Sequence, residues 1–459
     1  MHALPSELTT ALSKGGYVLL IKGEAGTGKT TLGLQLLSEV FDGKGVYVST
    51  RVSPEELFTQ FPWLKGRLDP SNVIDATEPA IPPAKELDFM RLRISQGLPS
   101  FIEGVYVACS EAKARVVVVD SINAIADLPE GEAAPHRLIE LSKVMGVSLV
   151  ITLEGRGASK LDYLADGIVT LQQECYGGRC LRSLRVEKSR MVERKRSAYV
   201  FTLKNSRFRH VKPVNPLEVG PDVRSDPGEE DEKFFTTGFK VLDEALGGGF
   251  PKGSYNVIEV SVGTPMAASR IFIVPLIRTF IERDRGVLIV LPAGMSSRGA
   301  KREFIEAFGR EKVEKLIRIF DFNLKESDDP CIVPRGLDDK SESFKVFQRE
   351  LERLAREHGP ILDITTFDIY EQYFGRERAI YNMSRAIAAY RDGGHLGIGV
   401  IHSRLRTVTE QKVMSTVYLR VEEKNGVLLL HGVNPWTPFF ALEVEQGKKL
   451  FKAKLVEIV

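Results

Sequence analysis

The chain has 459 residues, 43% of them hydrophobic and 27% charged, with a formal net charge of +2. That length exceeds one ordinary core and predicts two or three domains of a soluble globular protein, excluding a disordered or fibrous chain. So small a net charge means that any attraction to nucleic acid has to come from a local patch. The longest apolar runs, such as Val116–Val119 and Ile398–Ile401, are strand-sized and far short of a membrane span, so no membrane partner is expected. Met1–Ser6 lack a basic start followed by an apolar stretch, which predicts no signal peptide and a cytoplasmic location. Four cysteines in a chain of this size do not make a disulfide framework.

In chain order, the first apolar strand, Tyr17–Ile21, leads straight into GEAGTGKT at residues 23–30. Thr30–Val40 leads out with helical apolar spacing at Leu32, Leu36, Leu37 and Val40. Strand, glycine-rich loop and helix are the setting that a phosphate-binding loop requires. Gly23, Gly26 and Gly28 permit a tight path that turns successive N–H groups toward phosphate oxygens, and the helix N-terminus adds partial positive charge. The cradle spans Gly23, Glu24, Ala25, Gly26, Thr27, Gly28, Lys29, Thr30 and Thr31. Lys29 is suited to the β- and γ-phosphates of ATP, and the Thr30 hydroxyl to Mg²⁺.

Gly45–Ser49 reads as the next strand, and Ser53 as the cap of a helix whose first turn holds Glu55 and Glu56. Arg115–Asp120 is a buried parallel strand ending in a carboxylate, which supplies the second metal group, Asp120, holding Mg²⁺ through water. Ser148–Leu153 follows as a strand ending at Glu154. Alternation of strands with amphipathic stretches predicts a mainly parallel sheet with crossover helices. Residues 168–203 read instead as an antiparallel extension around the Gly177-Gly178 turn. Cys175 and Cys180 bracket that turn. With no further Cys or His close in sequence they make no metal site, and a disulfide there suits only an oxidising or hyperthermophilic setting.

From Arg182 to Lys212 there are eleven Lys or Arg and two Glu, interleaved with Tyr199, Phe201 and Phe208. Two readings stand: a nucleic-acid surface, or strands with outward charges and inward aromatics, the second being favoured. Residues 215–233, with three prolines, two glycines and an acidic run, read as an exposed linker between a domain over 1–214 and another over 234–459. Beyond it the order repeats. Tyr255–Val260, Gly286–Leu291, Ile361–Phe367 and Gly397–His402 are predicted strands, Ser343–Glu357 is a helix, and 416–431 is a terminal hairpin.

GEAGTGKTT, then VVVVDS, then a strand ending in Thr152-Leu153-Glu154 resemble the RecA superfamily, in its KaiC-like branch. VYVSTRVSPEEL at 46–57 with FPWL at 61–64 resembles the P-loop domain of the GvpD gas-vesicle regulators, and the likeness covers residues 1–213. The resemblance implies an α/β fold of two tandem RecA/KaiC-like domains, each a mainly parallel sheet flanked by helices with an antiparallel C-terminal extension. It implies that Lys188 and Arg190, which match the family's K-x-R segment, reach a neighbouring subunit's γ-phosphate in a homo-oligomeric ring, possibly hexameric in form. The family's paired glutamates after the second strand activate the attacking water, and here Arg51 and Val52 stand in their place. Neither side chain can accept a proton from water, which leaves Glu55, Glu56 and Glu154 as substitutes and predicts slow hydrolysis. Residues 236–254 resemble the opening of a second KaiC-type domain. At its loop, Gly263-Thr264-Pro265-Met266-Ala267, Met266 replaces the lysine and Ala267 the magnesium-binding hydroxyl, while Asp368 is a candidate remnant of the metal carboxylate. The expectation is a regulatory ATPase with a partner protein. A recombinase-like DNA-dependent ATPase and a non-hydrolysing ATP sensor remain as alternatives.

Overall fold

Short apolar runs that are buried on both faces build the two large sheets of this chain. The computed structural model describes residues 4–77, 97–126, 130–335, 340–447 and 450–459, so part of the Met1–Ser6 stretch lies outside the described residues. Contacts divide the chain into two units, Met1–Val211 with Ile458–Val459, and Lys212–Glu457. Among the described residues no helix is long and apolar enough to cross a membrane.

In the first unit, α1 (Ser6–Ser13), β1 (Val18–Gly23), α2 (Lys29–Val40), β2 (Gly45–Ser49), α3 (Pro54–Gln60) and β3 (Val73–Asp75) come first. They are followed by α4 (Leu98–Glu111), β4 (Val116–Asp120), α5 (Ile122–Ala126), α6 (Ala134–Met145), β5 (Ser148–Glu154) and α7 (Leu161–Leu164). Strands β6 (Gly167–Tyr176), β7 (Arg179–Ser189), β8 (Ala198–Thr202) and β9 (Arg209–His210) complete it. The sheet order is β3-β2-β4-β5-β1-β6-β7-β8-β9. It is parallel from β3 to β6 and antiparallel beyond. Alternation along each strand divides the core between two layers. Leu19, Ile21, Val116 and Val118 face α1 and α2, whereas Val18, Leu20, Val117 and Val119 face α4 and α6. The β6–β7 turn uses Gly177 and Gly178 at φ 57° and 74°, and across it Cys175 and Cys180 are paired and joined by a disulfide.

The second unit carries β10 (Val223–Arg224), β11 (Phe234–Phe235), β12 (Phe250–Pro251), β13 (Ser254–Val260), β14 (Val287–Val290), β15 (Ile317–Asp321) and β16 (Ile332–Pro334). After these come β17 (Leu362–Thr366), β18 (Leu396–His402), β19 (Val417–Lys424), β20 (Val427–Asn434), β21 (Phe440–Gln446) and β22 (Phe451–Glu457). Its large sheet runs β10-β22-β21-β20-β19-β13-β18-β17-β14-β15-β16. With β13 set against β1, the order β15-β14-β17-β18-β13-β19-β20-β21 repeats that of β3-β2-β4-β5-β1-β6-β7-β8 strand for strand. The fold is therefore two tandem RecA/KaiC-like α/β units with antiparallel extensions. The extra strand β16 and the closing pair β21–β22 have no counterpart in the sequence reading, which stopped at a hairpin over 416–431.

The exposed linker expected over 215–233 is corrected here. Val219 and Val223 enter the apolar core of the second unit, and β10 pairs with β22. The charges of the segment face that unit too: Asp222 is held by Arg278, and half-buried Glu230 by Arg285 at 2.6 Å and Arg283 at 3.5 Å. Two valines and two ion-paired carboxylates were enough to dock a stretch whose average composition is that of a tether. Val223→Asp, which would bury an unpaired carboxylate at a cost of several kcal/mol, should expose the chain beside Arg224 to trypsin under native conditions. Wild type should resist cleavage there, and rapid cutting of wild type at Arg224 would contradict the docked segment.

Candidate nucleotide-binding site

Strand β1 ends at Gly23 in the middle of the parallel sheet, where β5 and β6 flank it and ligands of open α/β sheets collect. The loop then turns through Gly26 and Gly28 at φ 76° and 98°, left-handed conformations that disfavour any side chain. A Cβ on Gly28 would also meet Leu203 Cδ1 at 2.8 Å. Thr27 Oγ1 donates to the Glu24 carbonyl at 2.7 Å and closes the turn. Helix α2 starts at Lys29 directly after Gly28, so its free N–H groups and partial charge face the loop. Thr31 is buried in that first turn, and Glu24 and Ala25 are exposed at the tip.

Lys29 is buried, and its Nζ donates to the carbonyls of Gly23 and Glu24 at 2.8 and 2.9 Å and to Glu154 Oε2 at 2.9 Å. The other carboxylate oxygen, Glu154 Oε1, accepts from Arg51 at 2.8 Å. Glu154 is level with Gly23 in the β1–β5 pairing, and its N–H donates to Asn123 Oδ1 at 2.9 Å. Both oxygens of the carboxylate are thus engaged by cations, which is a poor arrangement for accepting a proton from water.

Thr30 and Asp120 meet directly, Thr30 Oγ1 donating to Asp120 Oδ2 at 2.6 Å. Tyr47 donates to the same oxygen at 2.6 Å and Thr152 to Oδ1. Burial, with the Asp120 charge beside it, pushes the Tyr47 hydroxyl well above its ordinary pKa, so it stays a proton donor to that carboxylate. The donors are a carboxylate and hydroxyls, an all-oxygen set that fits a hard cation such as Mg²⁺. Thr50 ties the ends of β2 and β4 together, accepting from Ser121 N at 2.8 Å and donating to the Asp120 carbonyl at 3.1 Å. Glu55 and Glu56 lie exposed in the first turn of α3, where Ser53 accepts from Glu56 N.

Lys188 and Arg190 are not brought to this loop. Lys188 donates to the Asp162 carbonyl at 2.8 Å, and Arg190 lies 3.5 Å from Asp166, just before β6 starts. Arg190 thus lies toward the end of the sheet opposite Gly23, since Gly167 is level with Leu19, whereas the Asp162 that holds Lys188 also pairs with Lys22. One basic residue of this region does reach the loop and escaped the sequence reading: Arg182 donates to the Gly26 carbonyl at 3.0 Å. Tyr199, Phe201 and Phe208 are buried, and Phe201 and Phe208 stack on each other at 4.5 Å between ring centroids, so these aromatics present no face for stacking on bases.

The matching loop of the second unit has different chemistry. Helix Ala267–Ile281 follows Gly263-Thr264-Pro265-Met266, and Thr264 Oγ1 accepts from Glu423 N at 3.0 Å. Met266 and Ala267, with Ile273, Leu291, Phe304 and Ile364, line an apolar pocket of about 530 Å³. Asp368 does not end β17 as Asp120 ends β4. It sits in the first turn of helix Phe367–Phe374, bonded by the N–H groups of Ile369 and Ala293 at 2.7 and 3.2 Å.

Residues 10–213 match the family model described as "ATPase: KaiC". The chain is 26% identical over 470 residues to Protein GvpD2 of Halobacterium salinarum, covering 97% of this chain and 94% of that one. It is 24% identical over 530 residues to Protein GvpD1 of the same organism, at 99% and 96% coverage. Against the circadian clock oscillator protein KaiC of Rippkaea orientalis it is 26% identical over 268 residues, which span 54% of this chain and 49% of that protein. Asp120→Asn, which removes the carboxylate charge available to a divalent cation, should weaken ATP binding about tenfold with Mg²⁺ present. Calorimetric titration should show the difference vanish in excess chelator; an equal loss with and without Mg²⁺ would remove Asp120 from the metal site.

Proposed function

We propose that this chain, whose residues 10–213 match the KaiC ATPase family model, is a slow, Mg·ATP-operated regulatory switch whose nucleotide site is in its first unit. One arrangement carries the reading: Lys29, Thr30 and Asp120 are assembled for a metal-bound triphosphate, while the positions of the family's water-activating glutamates hold Arg51 and Val52.

A bound Mg²⁺ would supply positive charge to offset the phosphates. Thr30 and Asp120 would hold it, Lys29 would neutralise the phosphates, and the Gly26–Lys29 backbone would orient them. Without a positioned base the chemical step loses roughly 10²–10⁴ in rate, so the bound triphosphate outlives an ordinary turnover and serves as a signal. Lys188 and Arg190, not brought to their own loop, act on a neighbouring subunit's nucleotide in a ring, and the assembled form presents the surface that a regulatory protein partner reads. The second unit, with Met266 and Ala267 in place of lysine and hydroxyl, serves as scaffold. Burial of Tyr199, Phe201 and Phe208 supports this reading over a DNA-dependent ATPase.

Sedimentation and phosphate release on the same sample test it. ATP, and not ADP, should sustain an assembled form, and Arg190→Ala should lower its turnover by up to roughly 10³-fold, as loss of an arginine finger does. Turnover accelerated by single-stranded DNA and indifferent to Arg190 would replace this reading with the recombinase-like one.

A further inference from the structure

We propose that Arg51 is a γ-phosphate ligand acting within its own subunit, and that the Glu154 carboxylate occupies the seat of that phosphoryl group. The inference rests on the first unit being a Mg·ATP site. Its ground is a single shared anion: Lys29 Nζ and Arg51 lie 2.9 and 2.8 Å from the two oxygens of one carboxylate. Lys29 is the residue that the loop supplies to the β- and γ-phosphates. An anion that takes the carboxylate's place on Lys29 therefore comes within hydrogen-bond reach of Arg51 as well. A terminal phosphoryl group, with three oxygens to share, satisfies both cations, and a guanidinium is the better partner for it than an ammonium.

The surroundings fix the two cations and leave the anion as the part that exchanges. Lys29 is 6% exposed and tied to two loop carbonyls. Arg51 follows Thr50, which is bonded to both Asp120 and Ser121, so its backbone is anchored to the strand that carries the metal carboxylate. Its side chain is 52% exposed and free to follow a new partner. Glu154 has its backbone held by β1 and Asn123, while its side chain, 24% exposed, has a path to solvent. Two anions cannot share the seat, so a γ-phosphate that enters drives the carboxylate out. ADP, lacking that phosphoryl group, would leave the Glu154–Arg51 pair in place.

Arg51 thereby distinguishes ATP from ADP. It also passes the distinction on, because Arg51 leads directly through Val52 and Ser53 into α3. What removed the family's catalytic base in sequence installed a cation that reads the third phosphate.

Equilibrium titrations of the full chain with Mg·ADP and with a non-hydrolysable Mg·ATP analogue test this. Arg51→Ala should weaken the ATP analogue about tenfold or more, the cost of one charge-assisted hydrogen bond, and change ADP by less than about twofold. Glu154→Gln, which weakens the competing anion, should tighten the ATP analogue, a gain that no misfolded variant would mimic. Equal effects of Arg51→Ala on both nucleotides, or weaker analogue binding by Glu154→Gln, would overturn the proposal. Failure of wild type to bind either nucleotide would instead overturn the ATP-site reading beneath it.

Discussion

The pairing of β1 with β5 sets Gly23 level with Glu154, and β2 with β4 sets Ser49 level with Asp120. Every contact at the phosphate loop depends on that register. A shift of one residue would turn Glu154 away from Lys29 and send Asp120 into the apolar layer beneath α4 and α6. The register is secured by valines and leucines that are buried on both faces of four neighbouring strands, so the chemistry at the sheet edge inherits the stiffness of the core.

The two units show what the scaffold does and does not dictate. They share strand order, yet Lys22 near the end of β1 pairs with Asp162, whereas its counterpart Glu259 is buried against Arg420, Tyr418 and Ser403. The same fold thus carries a lysine, a threonine and an aspartate at one sheet edge and a largely apolar pocket, lined by methionine and alanine, at the other.

How much of this was legible in the sequence follows the range of the interactions. The strand–loop–helix over β1 and α2 was readable because strand, glycines, lysine and helix are contiguous, and the end of β4 at Asp120 because an apolar run leads into a carboxylate downstream of that loop. The parallel sheets and antiparallel extensions followed from strand-sized apolar runs and the Gly177-Gly178 turn. Arg51 was read as a loss, since its bond to Glu154 spans 103 positions and exists only once β2, β4, β5 and β1 are laid side by side. Arg182 was hidden for the same reason, its partner Gly26 lying 156 residues away. The segment 215–233 was misread because average polarity conceals two buried valines and two ion-paired carboxylates, which only the complementary surface reveals.

The central claim is that one loop, centred on Lys29, holds Mg·ATP for the whole chain. Titration of Mg·ATP into wild type and Lys29→Ala tests it most directly. The account predicts one site per chain in wild type and a loss of about two orders of magnitude in affinity in the variant, as for a buried charge partner removed. Unchanged binding in Lys29→Ala, or two sites per chain in wild type, would contradict it.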